Sequence, residues 1–168
     1  MLQGEKVNLI DMLNCRERRN SLQNQLISKH QQPLLSFCMN IPGEVKTNEA
    51  IKRAFDLGQI DILKALINQR MRVLEIVEVN EKTGDELLLS VAADACELKE
   101  LAMNIEETHR FGRLFDIDIL NASGVKLSRS NYRTCFVCDE QAQVCGRNRT
   151  HKLEDVLKVI VAILEDNT

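Results

Sequence analysis

Apolar residues recur at helical spacing through residues 6–30, where Leu9, Met12 and Leu13, and later Leu26 and Ile27, supply one face. The polar stretch between them puts Arg16, Arg19 and Gln23 together, because residues three, four and seven apart stack on one side of a helix. The period then drops to two. Over 34–41, Leu35, Phe37, Met39 and Ile41 alternate with Leu34, Ser36, Cys38 and Asn40, which predicts a strand ended by Pro42-Gly43. Helical spacing returns from about Thr47 to Gln69, with Ile51, Phe55, Ile62, Leu63, Leu66 and Ile67 inward and Gly58 as a break or kink. Two strands at 72–80 and 86–92 flank the polar turn Glu81–Asp85. Imperfect alternation in the first predicts a bulge, and the unbroken apolar run of the second predicts a central strand. Asp94, with Glu97 three residues on, caps a helix striped by Leu98, Leu101, Ala102 and Ile105. Residues 113–120 form the next strand, 121–134 a polar loop, and 152–165 a strongly amphipathic helix.

From residue 34 the order is βαββαβ, that of a split, ferredoxin-like α+β unit. The expected fold is a single antiparallel or mixed sheet with two helices on one face. The N-terminal helix and the C-terminal Cys-rich loop and helix are additions to that core. No internal repeat or linker interrupts residues 1–168, so a single domain is expected. Leu, Ile, Val and Phe make up 52 of the 168 residues, which is enough for a packed core. The net charge of −3 argues against a general nucleic-acid binder. No apolar run is long enough to span a membrane, and the first six residues lack a secretory layout. A cytoplasmic chain follows, in which the six Cys are thiols or metal ligands rather than disulfides.

The sharpest chemical signal is Gly112-Arg113-Leu114-Phe115-Asp116-Ile117-Asp118. Side chains two apart on a strand share a face, so Asp116 and Asp118 stand side by side at about 6.6 Å. A solvent-facing strand would also carry such a pair. Strongly apolar flanks place this one centrally, however, and like charges there need a cation or basic partners. Mg²⁺ suits them, being held by a few carboxylates together with substrate phosphates. A second constellation, Cys135-x2-Cys138-x6-Cys145-x5-His151, has the donor types of a structural zinc site. Its short middle gap leaves three packed thiols as the competing reading. Arg147 and Arg149, just before the last helix, could with His151 receive a phosphate, although His151 cannot easily serve both metal and phosphate. Asn40 and Lys46 flank the Pro42-Gly43 turn as further substrate contacts, against the plainer reading of an ordinary turn. The Arg16/Arg19/Gln23 stripe is a binding surface or a solvated helix face. His30 and His109 have no partners in sequence.

In order and spacing these segments resemble the holo-citrate lyase synthase family, the apo-citrate lyase phosphoribosyl-dephospho-CoA transferases. The marks are Cys15-Arg16-Glu17-Arg18-Arg19 with Gln23; Pro33-Leu34-Leu35-Ser36-Phe37 leading to Met39-Asn40-Ile41-Pro42-Gly43 and Lys46; Gly112 to Asp118; Ser128-Arg129; and the Cys135…His151 tail. Departures at Cys15, Glu44, Gly146 and Asn148 remove no charge assigned to chemistry. The resemblance implies transfer of a phosphoribosyl-dephospho-CoA group from triphosphoribosyl-dephospho-CoA to a serine of the citrate lyase acyl carrier protein, with release of diphosphate. Asp116 and Asp118 would be catalytic and would hold Mg²⁺. Gly112, Arg113, Lys46, Asn40, Arg147, Arg149, His151, Arg16 and Arg19 would bind substrate. Two other classes compete: a non-catalytic, zinc-stapled adaptor for a carrier protein or nucleotide, and an RNA-binding sheet. The second is disfavoured by few aromatics, no Trp and a single Tyr.

Overall fold

A computed structural model describes residues 2–165. Its elements are α1 (Leu9–His30), β1 (Leu34–Met39), α2 (Glu49–Asn68), β2 (Arg72–Glu81), β3 (Gly84–Ala92), α3 (Ala95–Thr108), β4 (Phe115–Leu120), α4 (Ala142–Asn148) and α5 (Leu153–Glu165). A 3-10 turn at Gly112–Leu114 leads into β4. The strands form one sheet in the order β2-β3-β1-β4, every neighbouring pair antiparallel. The chain is therefore α+β, with the predicted βαββαβ order from β1 to β4.

Period two along the strands gives the sheet two unlike faces. Leu35, Phe37, Leu87, Leu89, Phe115, Ile117 and Ile119 point to one side, where they meet Ile51, Phe55, Ile62 and Leu66 of α2. Leu98, Leu101 and Ile105 of α3 and Ile160 and Leu164 of α5 complete this main core. On the other side Leu34, Leu88 and Leu120 meet Leu26 and Ile27 of α1, with the partly buried Leu22 and Val77 packed beside them. Away from that small patch the α1 side is polar, with Ser36, Cys38, Glu86, Asp116 and Asp118 at the alternate positions. One face stabilises the fold by burying apolar surface, which leaves the other free to carry charge.

Several boundaries move for identifiable reasons. Helix α1 starts at Leu9 because Asn8 and Asp11 cap it reciprocally, at 2.9 and 3.0 Å, while Lys6 pairs with Val45 instead. Leu9 and Leu13 were expected on its apolar face but are exposed, as is Ile67 of α2. Helix α2 runs unbroken through Gly58. That glycine is a packing device rather than a kink: a Cβ there would lie 2.6 Å from Phe115 Cζ and 2.8 Å from Phe37 Cζ. The β2–β3 turn tightens to Lys82-Thr83, since Gly84 at φ +111° already pairs with Glu81. The expected bulge lies between Val73 and Glu75. Strand β4 begins two residues later than predicted because Gly112–Leu114 curl first. Gly112 permits that curl, as a Cβ on it would strike the Glu106 carbonyl oxygen at 2.3 Å. Helix α4 was not anticipated. No helix among the described residues is long and apolar enough to cross a membrane.

Candidate active site

Asp116 and Asp118 both project from the α1 side of β4, opposite Cys38 and Ser36 of β1. They line a cleft of about 730 Å³ whose other wall is the segment after the strand. The return of that segment is locally encoded. The Asn121 side chain accepts N–H bonds from Ser123 and Val125, closing a turn that brings Lys126 back antiparallel to Leu120. Lys126 thereby falls on the carboxylate face, with Nζ 2.7 Å from Asp118 Oδ1. Farther along, Arg129 and Arg133 converge on the buried Glu106 of α3. Arg129 pairs with Glu106 and, at 3.1 Å, with Glu107, and Arg133 lies 3.3 Å from Glu106. Arg133 also donates to the carbonyls of Phe115 (2.6 Å) and Gly112 (3.1 Å), which clamps the segment to the start of β4. Glu106 accepts the Ile117 N–H at 2.9 Å, and the buried Lys99 completes the cation set of the cleft.

Burial, and after it the charge of Asp118, raises the proton affinity of Asp116 above the usual carboxylate range, with Lys126, Arg133 and Arg19 pulling the other way. Burial likewise raises Glu106 and lowers Lys99. The Cys38 thiol, beneath Asp116, is pushed up to about 12 by burial and by that carboxylate, so it stays protonated. It is no nucleophile in this state. On the α1 side Arg19 reaches Glu86 at 2.8 Å and Gln23 donates to Ser36 at 3.1 Å, so this stripe faces the sheet rather than only solvent. Arg16 is exposed, and its charge, after burial, lowers Lys46.

The other sequence candidates divide. Asn40 lines the cleft. Lys46 donates to the Ile41 carbonyl at 2.6 Å beyond the end of β1 and does not line it. Arg113 points away to the Cys-rich segment, donating to Thr134 and to the Cys135 carbonyl at 3.1 Å and lying over the Phe136 ring. Gly112 serves close backbone packing. Arg147 and Arg149 are exposed and outside the cleft. His151 resolves its two competing roles by position: Nε2 lies 3.1 Å from Cys138 Sγ, within a Cys135/Cys138/Cys145/His151 group whose ligand atoms all fall within 4.8 Å. His30 and His109 do find partners, Glu75 and Asp61, but away from the cleft. Lys99, Glu106, Lys126 and Arg133 were missed. The Asn121…Gly124 turn was a usable signal for Lys126, and seven-residue spacing put Lys99 and Glu106 on one face of α3. Arg133 left no trace in sequence, because its partners are two backbone carbonyls and the distant Glu106.

A four-stranded α+β sheet thus carries paired carboxylates in a cleft walled by Lys and Arg, a set of groups whose chemistry suits a phosphorylated polyanion together with a cation. Comparison with known proteins narrows the reading. The family model for apo-citrate lyase phosphoribosyl-dephospho-CoA transferase matches residues 7–167, and the chain belongs to that family. Relatives bearing that name in Escherichia coli O139:H28 and in Shigella boydii serotype 18 are each 35% identical over 164 residues, covering 95% of this chain and 90% of theirs.

Proposed function

We propose that this chain transfers the phosphoribosyl-dephospho-CoA group from triphosphoribosyl-dephospho-CoA to a serine of the citrate lyase acyl carrier protein in the cytoplasm, as one domain spanning 1–168. The observation that carries this reading is the placement of Asp116 and Asp118 together in the cation-walled cleft of a chain in that family. The βαββαβ order and the strand order β2-β3-β1-β4 support a ferredoxin-like unit as the scaffold.

The charges of the cleft favour a metal-assisted reaction. Four cations, Lys99, Lys126, Arg129 and Arg133, face three acids, Glu106, Asp116 and Asp118. A surplus of one positive charge cannot balance a triphosphate. Asp116, crowded by Asp118 and desolvated, fits a site that takes up a divalent cation. Asp116 and Asp118 would hold Mg²⁺, which when bound neutralises charge on the reacting phosphate and the leaving diphosphate. Lys126, Arg129 and Arg133 would orient the triphosphate along the cleft wall. Either carboxylate, through the cation it would hold, would ease loss of the incoming serine hydroxyl proton to solvent. The serine oxygen–phosphorus bond then forms as the bond to diphosphate breaks. The nucleophile belongs to the carrier protein, so none is required of this chain. Arg16 and Arg19 would extend the positive rim on the α1 side.

The test is to incubate the chain with apo carrier protein, the triphosphate precursor and Mg²⁺, and to weigh the carrier protein by mass spectrometry. Addition of the prosthetic group by the native chain is expected, with its loss in Asp116→Asn and Asp118→Asn variants that melt like the native protein. Near-normal transfer by either variant would falsify the carboxylate mechanism. An unmodified carrier protein with the native chain would point back to the adaptor reading.

A further inference from the structure

The segment from residue 121 to 152 raises a stability problem. Apart from α4 it is irregular, it is mostly exposed, and Cys145 is its only buried side chain. A seven-residue helix is too short to hold itself together in water. Yet the segment keeps a defined path: Cys135 N–H bonds to the Glu140 carbonyl at 2.7 Å, Ala142 N–H to the Arg133 carbonyl at 2.8 Å, and Arg149 turns the chain at φ 49° so that His151 comes back toward Cys138. Its centre is the group Cys135, Cys138, Cys145 and His151.

We propose that this group binds one structural zinc ion, and that the ion fixes the segment 133–151 so that Arg133 stays clamped over the start of β4 beside the carboxylates. The distances suit it. With Zn–S near 2.3 Å and Zn–N near 2.0 Å, tetrahedral edges are about 3.8 Å between sulfurs and about 3.5 Å from sulfur to nitrogen. Cys138 Sγ lies 3.5 Å from Cys145 Sγ and 3.1 Å from His151 Nε2, with all four ligand atoms within 4.8 Å. The Val137 N–H points at Cys135 Sγ at 3.5 Å, a donor that favours a thiolate in a tight Cys-x2-Cys turn. Packed reduced thiols would need an apolar nest. Here Cys135 and Cys138 are half-buried beside the exposed Asp139 and Glu140, with the Arg113 guanidinium on the Cys135 carbonyl. Zinc uptake displaces the thiol protons to solvent, so binding strengthens as pH rises. The site is closed: four protein donors leave no open position for substrate, which makes the ion structural rather than catalytic.

Zinc binding stands independently of the transferase reading, and only the consequence for Arg133 rests on it. The experiment uses the full chain. Elemental analysis after purification with zinc in the medium should give about one zinc per chain. Cobalt(II) substitution should give the absorption of tetrahedral thiolate coordination. Cys138→Ser, Cys145→Ser and His151→Ala should each bind zinc roughly 100-fold more weakly in competition with a chromophoric chelator, whereas Cys96→Ser, at an exposed cysteine outside the group, should not. Chelator treatment should open the segment 121–152 to protease while the circular dichroism of the sheet and of α1–α3 persists. Substoichiometric zinc with no cobalt spectrum, a Cys138–Cys145 disulfide in the non-reduced chain, or full zinc retention by Cys138→Ser would each overturn the site. Zinc binding with unchanged transfer after stripping would overturn the link to Arg133. A zinc-loaded chain that transfers nothing would count against the transferase reading alone.

Discussion

Asp116 and Asp118 stand two residues apart on one strand, yet their surroundings give them different work. Asp118 is met by Lys126 at 2.7 Å, whereas Asp116 faces the protonated Cys38 thiol at 4.0 Å and is raised by burial and by Asp118. Two predictions follow from that sign. Protons compete with the cation for Asp116, so the Mg²⁺ concentration needed for half-maximal transfer should rise as pH descends through its raised pKa. Lys126 holds that pKa down, so Lys126→Met should start the rise at higher pH as well as raising KM for the precursor. Mg²⁺ titrations of the transfer rate across pH check this, and an unmoved onset would exclude Asp116 as the titrating ligand. The second prediction concerns stability. A carboxyl raised in the folded state contributes stability below its unfolded pKa, and that contribution is lost as pH rises through the folded value. Asp116→Asn should therefore raise the melting temperature at neutral pH, and the gain should shrink in acid, where the native side chain is protonated as well. Calorimetry at both pH values decides it.

Among the elements, α2 and α4 show opposite uses of glycine. At Gly58 an added methyl would press on the rings of Phe37 and Phe115, which cannot retreat: Phe37 stacks on Phe55 at 4.7 Å and meets Phe115 edge-on at 5.0 Å, all within the core. Overpacking of this kind costs about 1–3 kcal/mol, which outweighs the helix-propensity gain of roughly 1 kcal/mol. Gly58→Ala should therefore lower the melting temperature by a few degrees. At Gly146, in α4, a Cβ would meet nothing within 4 Å, so Gly146→Ala should stabilise by up to about 1 kcal/mol. Thermal melts of the two variants should shift in opposite directions. The strands and α2, α3 and α5 were legible in sequence because each buries a continuous face that imposes its period. The first half of α1 was misread because its Leu9 and Leu13 face solvent while its working positions, Arg19 and Gln23, are polar. Helix α4 spans barely two turns, too few to show a period, and Cys145 is its only buried residue.

Across the whole molecule, the cleft runs from the carboxylates on one face of the sheet around the β4 edge to Lys99 and Glu106 of α3, which packs on the core face, and the segment 126–133 is tied there through Glu106. The carboxylate pair was legible because its alternation with Phe115, Ile117 and Ile119 is local; the cation wall was not, because Arg129 and Arg133 reach Glu106 across more than twenty residues of chain that include all of β4. That carboxylate is buried; it accepts from Arg129 and from the Ile117 N–H of β4, and Arg133 lies 3.3 Å away. Strand β4 is the edge strand of the sheet, not the central one its apolar flanks predicted, because α3 and the returning segment cover its outer side. Removing it leaves the Ile117 N–H without its acceptor, Arg133 without its anion and Arg129 with only the exposed Glu107. The guanidiniums are about a fifth exposed and can partly rehydrate, so the expected loss lies below that of a fully buried pair, at about 1–3 kcal/mol. Glu106→Ala should accordingly lower the urea midpoint with little change in slope, and should raise KM for the triphosphate precursor as Arg129 and Arg133 come away from the cleft wall. Glu107→Ala removes an exposed partner of the same Arg129 and should cost less than about 0.5 kcal/mol. Equal losses in the two variants would mean that the segment is held by something other than the buried tie. The Cys135/Cys138/Cys145/His151 group beyond its far end would, holding zinc as proposed, be the second anchor, so stripping the metal from Glu106→Ala should then free the segment altogether, with protease cleavage faster than in either single condition.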